Sequence, residues 1–332
     1  MKQAWWVAAL LAAGCAKSTS STGNGAPKVA LLLSTLQEER YQKDRNYFED
    51  AARKLGLSPF TLAADNDNAR QLAQVEDALQ RGAKVLVIQP TDSAAAAAYV
   101  DKAHERGAKV VAYDRAISGA PDYYVAHDSH EIGVLQAEAA LKATGGKGNF
   151  VLLEGQSGHS VATEIARGYM DVLKPLVDKG QITIVVDKSH DAWSPEQALK
   201  TVEDALSRSK GELTAILANN SGMARGAVQA MQAAGKKAFI AGADADAANV
   251  NYVCEGKQSV EVLKEIKPLA EKAAEVAAQL ARGQSPPGDP AHTTPGYVPV
   301  AAVPVHLVTA ENAKSLVVES GFQAAAAVPA CK

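Results

Sequence analysis

The sequence predicts an α/β fold of two lobes, each built on a doubly wound parallel sheet with helices on both faces. From residue 28 onward, short β-branched runs alternate with amphipathic, alanine-rich segments. This alternation is typical of parallel sheets with right-handed crossovers. It breaks near 120–130 and then starts again, which indicates a second lobe of similar architecture.

The β-branched runs and the segments between them define the predicted elements in order. Strands are predicted at 28–34, 84–89, 108–113, 149–153, 181–186, 213–218 and 238–242. Helices are predicted near 38–55, 69–81, 93–106, 131–143, 161–179, 195–208 and 222–234. In "RGAKVLV" (81–87) and "RGAKVVA" (106–112), a glycine stands where a helix ends and a strand follows, as is usual at helix C-termini.

The last part of the chain has a different composition. The segment 282–307 is rich in proline and predicts an extended edge or linker strand, between helices at 265–281 and 310–320. We expect the chain to cross between the lobes more than once. The expected lobes are 28–130 plus 264–297 at the N-terminal side and 131–263 plus 298–330 at the C-terminal side.

The first residues, "MKQAWWVAALLAAGC", predict an export signal over 1–14. Lys2 precedes an apolar run that is too short to span a bilayer and ends in small residues. The end of this run resembles the lipobox of bacterial lipoproteins, whose cysteine is lipidated and begins the mature chain. Residues 15–27 are therefore expected to be a lipidated Cys15 and a flexible tether. Ordinary signal cleavage without lipidation is the alternative.

Composition and motifs exclude several classes of function. The net charge is −3 with acids and bases interspersed, so no nucleic-acid partner is expected. Neither a metal site nor a cofactor motif nor a catalytic signature such as G-x-S-x-G is found in the sequence, so we expect no enzyme. Cys254 and Cys331 are the other cysteines, and the sequence leaves open whether they pair.

Candidate ligand contacts lie just after the predicted strands. Ligands of parallel α/β sheets bind past the C-terminal ends of the strands. Asp114, Arg115, Asn220 and Asp244 occupy such positions in both halves, and together they suit a polar, mostly uncharged ligand. Trp193 precedes a proline-initiated helix and offers a flat face to a sugar ring, although helix packing is the alternative.

Several segments resemble bacterial D-xylose-binding proteins in order and spacing. These are "ERYQKDR" (39–45), "VLVIQP" (85–90), "VVAYDR" (110–115), "MDVLKPLVDKGQI" (170–182), "AWSPEQALKTVEDAL" (192–206) and "GADAD" (242–246). The resemblance covers almost all of 28–325. It implies a type I periplasmic binding protein fold and a monomeric, lipid-anchored receptor on the periplasmic face of the membrane. Its implied ligand is a monosaccharide, D-xylose or a related aldose, and its implied partner is an ABC permease.

The resemblance also implies sugar contacts at the positions that match. These are Arg40, Tyr41 (where the family has Trp), Asp114, Arg115, Trp193, Asn220, Asp244 and Lys264. One segment departs: where the family has an Asp and two Asn, this chain has His159, Ser160 and Val161. Either His159 or Ser160 substitutes as a contact, or the ligand differs from xylose in one hydroxyl or in ring form.

The expected mechanism is closure of the two lobes on the ligand by a hinge. A sensory receptor for a histidine kinase or chemotaxis protein is one alternative, and it would have the same ligand site. A secreted carbohydrate-active enzyme is another, and it would need a paired acid and base at a set separation.

Overall fold

The computed structural model describes residues 25–287 and 300–331. The predicted signal, Cys15 and all but the end of the predicted tether lie outside the described residues. So does the segment 288–299, which holds much of the proline-rich region. Within the described ranges, no helix is both long enough and apolar enough to cross a membrane.

The described chain alternates strands and helices, as the sequence predicts. The strands are β1 (Lys28–Leu33), β2 (Ser58–Ala63), β3 (Val85–Ile88), β4 (Lys109–Tyr113), β5 (Tyr123–His127), β6 (Gly148–Glu154), β7 (Ile182–Ser189), β8 (Ala215–Ala218), β9 (Phe239–Ala243), β10 (Val260–Lys264), β11 (Val300–Val303) and β12 (Val305–Val308). The helices are α1 (Glu39–Lys54), α2 (Asn68–Gln80), α3 (Ala97–Glu105), α4 (Ser129–Thr144), α5 (Ser160–Asp178), α6 (Pro195–Arg208), α7 (Ser221–Ala233), α8 (Ala247–Cys254) and α9 (Ile266–Ala281).

Two six-stranded sheets confirm the predicted two-lobe α/β fold. The first has the order β11-β5-β4-β3-β1-β2 and is parallel throughout. The second has the order β12-β10-β9-β8-β6-β7 and is parallel except for β12, which runs antiparallel to β10. The central strands are buried, which explains why they read as continuous apolar runs in the sequence.

In the described parts of the chain, three segments pass between the lobes. The chain leaves the first sheet after β5, returns from β10 into α9, and passes again from β11 to β12 across Pro304. The expected boundary at 298 needs correction, because Val300–Val303 pairs with β5 in the first sheet. Both β11 and β12 are edge strands, where neighbouring prolines cost little because one side of the strand is unpaired.

Local sequence features account for where several helices begin and end. Asp128 accepts a hydrogen bond from Glu131 N at the start of α4, and Gly145 ends that helix with a φ of 66°. Ser194 caps α6 through Gln197 N (3.2 Å), and a proline fills the first helical position. Such caps satisfy amide groups that the first helical turn leaves unpaired.

Two glycines allow α4 and α5 to pack with their backbones close together. A Cβ on Gly133 would lie 2.1 Å from Ile165 O, and one on Gly168 would lie 2.2 Å from His130 O. Any side chain at either position would force these helices apart. This contact fixes α5 against the lobe, and the first residues of α5 reach the interface between the lobes.

Candidate ligand-binding site

A cleft between the lobes is formed by residues that follow strands of both sheets, and its empty volume is about 300 Å³. Its lining is mostly polar and charged. The lining residues are Glu38, Arg40, Tyr41, Asp114, Arg115, Val161, Trp193, Asn219, Asn220, Asp244 and Lys264. The residues that the sequence predicts as ligand contacts all lie in this lining, except His159 and Ser160.

Asp114 is the centre of the first lobe's side of the cleft. Directly after β4, its backbone adopts a φ of 61°, which is uncommon for a residue other than glycine. Its carboxylate accepts hydrogen bonds from Arg40 Nη2 and from Gln89 Nε2, each at 3.0 Å. Arg40 Nε in turn donates to Asp44 at 3.3 Å, and Tyr113 also donates to Asp44. These hydrogen bonds hold Arg40 and Asp114 in one geometry.

The charges of the cleft stabilise the ionised form of Asp114. Burial on its own would raise the pKa of this carboxyl, but Arg40 and Lys264 hold its pKa well below the usual range. Burial lowers the pKa of the nearby His127 to about 3, with Lys264 and Arg40 acting in the same direction. Asp114 is therefore an ionised carboxylate of the cleft lining, and the imidazole of His127, 4.0 Å away, is neutral.

Arg115 joins the two sides of the cleft. Its Nη2 donates to the Tyr41 hydroxyl and its Nη1 to the carbonyl of Pro90, both at 3.1 Å. The guanidinium also lies 6.0 Å from the centre of the Trp193 ring, which belongs to the other lobe. Tyr41 therefore positions Arg115 and also lines the cleft.

Lys264 and Asp244 complete a charged cluster at the hinge side. Lys264 ends β10, where the chain returns to the first lobe, and its Nζ lies 3.1 Å from Asp244 Oδ1. The same carboxylate oxygen lies 3.6 Å from Arg40 Nη1 in the opposite lobe. An acid of one lobe thus faces a base of the other.

Some buried polar atoms of the cleft lack a hydrogen-bond partner. Within residues 25–287 and 300–331, no hydrogen bond reaches Arg40 Nη1, Asp244 Oδ1 or Glu38 Oε2. The approach of Lys264 to Asp244 is at ion-pair distance but does not have hydrogen-bond geometry. Buried polar atoms are normally satisfied, so these atoms mark where a polar ligand would bind.

Trp193 forms the apolar surface of the second lobe's side. It lies in a short turn before α6, where Ala192 and Trp193 have φ values of 52° and 56°. A Cβ on Gly155 would lie 2.4 Å from the indole, so only glycine leaves room for this ring. Trp193 Nε1 donates to His159 Nδ1 at 2.7 Å, and the two rings stack at 5.8 Å.

Asn219 and Asn220 follow β8 and have different roles. Asn220 Oδ1 accepts from Met223 N at 2.9 Å and caps α7, so the amide nitrogen is the group that remains for a ligand. Asn219 accepts from Gly155 N at 2.9 Å and donates to the Tyr169 hydroxyl at 3.2 Å. Asn219 therefore supports the loop at Gly155, against which the Trp193 indole packs.

His159 lies behind the cleft lining and contacts the residues that form it. Besides Trp193, its ring approaches Arg115, with 3.3 Å between His159 Nε2 and Arg115 Nη1. Burial and the charge of Arg115 lower the pKa of His159 to about 2, so the ring is neutral. A neutral imidazole has a single acceptor nitrogen, so it accepts fully from one of these two donors at a time.

Ser160 connects the two lobes directly. Its Oγ accepts from Ala116 N at 2.8 Å, and its own amide donates to Ser93 Oγ at 3.3 Å. Ser93 N also donates to the carbonyl of Gly158 at 3.1 Å. These bonds describe a closed arrangement of the lobes. Val161, the third residue of the departing segment, lines the cleft with an apolar side chain.

Sequence reasoning missed two polar residues of the lining, Glu38 and Asn219. Asn219 follows a predicted strand, so its position was a usable signal. Glu38 directly precedes "ERYQKDR", but the direction of its side chain cannot be read from the pattern. Among the described residues, no group of three or more His, Cys, Asp or Glu side chains is placed to hold a metal ion.

A family model described as a periplasmic binding protein domain matches residues 29–285. The D-xylose-binding periplasmic protein of Escherichia coli is 37% identical over 303 residues, which cover 89% of this chain and 90% of that protein. Its namesake from Haemophilus influenzae is 35% identical, over 77% of this chain and 78% of that one.

Solved structures agree with these relatives. A carbohydrate transporter solute-binding protein from Chloroflexus aurantiacus, in complex with D-glucose, superposes with a TM-score of 0.84 at 28% identity. The match covers 91% of this chain and 98% of that one. The expected family is confirmed, and it is a family of substrate-binding proteins, not of enzymes. The chain belongs to the periplasmic binding protein family, in the group that includes the D-xylose-binding proteins.

Proposed function

We propose that this protein is an extracytoplasmic receptor that binds a monosaccharide, a xylose-like pentose, and delivers it to an ABC importer. The two relatives described above are named D-xylose-binding proteins, and the structural neighbour from Chloroflexus aurantiacus is in complex with D-glucose. The cleft suits a ligand of this class, because polar groups surround one aromatic face.

One observation carries the proposal: two buried polar atoms of opposite type face each other across the cleft at ion-pair distance, and neither has a hydrogen-bond partner. Arg40 Nη1 is a donor of the first lobe, and Asp244 Oδ1 is an acceptor of the second. A sugar hydroxyl both donates and accepts, so one hydroxyl group satisfies both atoms. A buried polar atom that lacks a hydrogen bond costs roughly 1–3 kcal/mol, which favours a polyhydroxylated ligand over an apolar one.

Closure of the lobes is the proposed means of signalling to the permease. In the closed arrangement, Ser160 bonds to Ala116 and to Ser93 across the interface. An open protein would exchange these bonds for water, so they alone give little preference for closure. The ligand contacts both walls, and this differential affinity shifts the population toward the closed state.

The identity of the sugar depends on residues 159–161, where this chain differs from the D-xylose-binding proteins. Val161 is 4% exposed and lines the cleft without offering a hydrogen bond, while His159 and Ser160 are bonded to protein groups. A ligand hydroxyl directed at Val161 would lose its hydrogen bond. We propose a pentose that presents C–H groups to this part of the wall.

A thermal-shift panel of pentoses and hexoses tests the proposal. We expect one or a few monosaccharides to raise the melting temperature by a few degrees at a hundredfold excess over Kd, since that excess contributes about 2.7 kcal/mol. The shift must grow with sugar concentration. If no sugar raises the melting temperature while an amino acid or peptide does, the carbohydrate assignment is wrong.

We also propose that a lipid on Cys15 anchors the receptor to the membrane. Cys15 ends a lipobox-like segment, and residues 16–27 have the small, polar composition of a tether. Changing Cys15 to Ser should move the protein from the membrane fraction to the periplasmic fraction, because acyl chains supply the attachment. Membrane association that persists in this variant would contradict the anchor.

A further inference from the structure

We propose that Glu38 determines which sugar the cleft accepts, by receiving a hydrogen bond from one hydroxyl group of the ligand. This inference rests on the proposed function and adds a contact that the sequence did not indicate. It makes the identity and orientation of one hydroxyl a condition for tight binding.

The Glu38 side chain lies in the cleft. Glu38 occupies the N-cap position of α1, where a shorter polar side chain such as Asp or Ser usually accepts a hydrogen bond from the first helical turn. Here no side-chain capping bond forms. The side chain lines the cleft instead, together with Arg40 and Asp114.

One oxygen of the Glu38 carboxylate has no hydrogen-bond partner. Glu38 Oε2 is buried, and within the described parts of the chain no donor reaches it. Burial raises the pKa of Glu38, and Arg115 opposes that rise. Arg115, Arg40 and the backbone amide of Glu38 therefore offset the desolvation cost of this carboxylate only in part, and a ligand donor to Oε2 would reduce it further.

The charges around Glu38 indicate what kind of donor fits. Arg115 and Arg40 act on the carboxylate as positive charges, and Asp244 acts as a negative one. Lys264 adds a further cation to the same cleft. Three basic side chains and three acidic ones, Asp114, Asp244 and Glu38 itself, line the cleft, so a charged ligand would leave it with an unbalanced charge, whereas a hydroxyl supplies the missing donor without added charge. The contact therefore fits a neutral sugar.

Such a contact discriminates between sugars more strongly than apolar packing does. A site built to bond a hydroxyl rejects an analogue that lacks it, because the buried protein group is then left unpaired. Val161 lines the same cleft, but its side chain has no polar atom that requires a hydrogen bond. Selectivity is thus concentrated on the side of the ligand that Glu38 contacts.

The test is a double-mutant cycle in which the sugar is the second partner. Wild type, Glu38→Leu and Glu38→Gln are titrated by calorimetry with D-xylose and with each of its monodeoxy analogues. If D-xylose does not bind to wild type, the sugar with the largest thermal shift and its deoxy analogues replace it. Glu49→Leu is the matched control, because Glu49 is a half-buried acid of α1 that bonds Thr61 and Arg53, outside the cleft lining.

We expect Glu38→Leu to weaken binding of the parent sugar roughly ten- to a hundredfold, and Glu38→Gln to weaken it less, since an amide oxygen still accepts. One deoxy analogue should bind Glu38→Leu at least as tightly as wild type, because only wild type then leaves a buried carboxylate without its donor, and this analogue identifies the hydroxyl. Glu49→Leu should leave all affinities unchanged. Equal affinities of wild type and both Glu38 variants for the parent sugar would overturn this inference alone. Absence of binding of every sugar to wild type would overturn the proposed function as well.

Discussion

Replacing Asp114 with Ala should abolish measurable binding of every sugar, whichever one is natural. The carboxylate accepts from Arg40 and Gln89 and lies 4.0 Å from Lys264 Nζ. Its loss leaves these buried groups without their partner and frees Arg40 to turn away from the cleft. The variant loses the ligand's hydrogen bond to Asp114 and misplaces the one that Arg40 offers; two hydrogen bonds to charged groups, at about 1.5–3 kcal/mol each, correspond to a loss in affinity of roughly a hundredfold to more than a thousandfold. Isothermal titration calorimetry measures this directly.

A matched control separates loss of the site from loss of the fold. Asp122 is another largely buried carboxylate of the first lobe, and it accepts from Lys109 and His104 outside the cleft lining. Asp122→Ala should lower stability while the sugar affinity of the folded protein stays unchanged. Circular dichroism must show that Asp114→Ala is folded at the temperature of the titration. If Asp114→Ala binds sugar as tightly as wild type, the proposed site is in the wrong place.

The elements that sequence reasoning found are those with a strong local signal. β1 and β3 are buried apolar runs, and α6 carries both a capping serine and a proline at its start. Such patterns require no knowledge of distant neighbours. The two-lobe fold could therefore be predicted before any contact was known.

Two strands that the sequence did not predict have a weaker local signal for definable reasons. β2 contains Pro59 and lies at a sheet edge, where its residues are only half-buried. β10 contains Glu261, which is fully buried, and burial raises its pKa to about 8. Ser221, Gln258 and the amide of Ala245 donate to this glutamate, so tertiary contacts compensate for a residue that the pattern disfavours.

The site was predictable where a residue's function follows from its place after a strand. Asp114 and Asp244 both follow strands, and the resemblance to known receptors agreed with those positions. The direction of a side chain is decided by neighbours that are distant in sequence. His159 was expected near the ligand, yet Trp193 and Arg115 occupy its ring nitrogens. Glu38 makes no capping bond at the helix end and lines the cleft, and the pattern of the sequence does not show this.

Cys254 and Cys331, whose pairing the sequence left open, form a disulfide. It joins the end of α8 to the end of the described chain, with a Cα–Cα distance of 5.3 Å and a sequence separation of 77. The final segment packs Val317 and Val328 into a small apolar cluster of the second lobe. Gln323 of this segment donates to Glu39 Oε1 of the first lobe and to Ala245 O, beside Asp244, each at 3.0 Å.

Changing Cys331 to Ser should lower the free energy of unfolding by about 4 kcal/mol, because a closed loop of this length removes that much chain entropy from the unfolded state. The thermal midpoint should fall by roughly 5 °C or more, and a reductant should produce a similar fall in wild type. The Cys254→Ser/Cys331→Ser double variant should match the single variant and be insensitive to reductant, which shows that the bond itself is responsible. Thiol titration must show that the reductant has opened the bond. If the midpoint of wild type is then the same with and without reductant, the disulfide does not stabilise the fold. The apolar cluster and Asn251, which bonds Ala327 and Ala330, would then hold the segment without it.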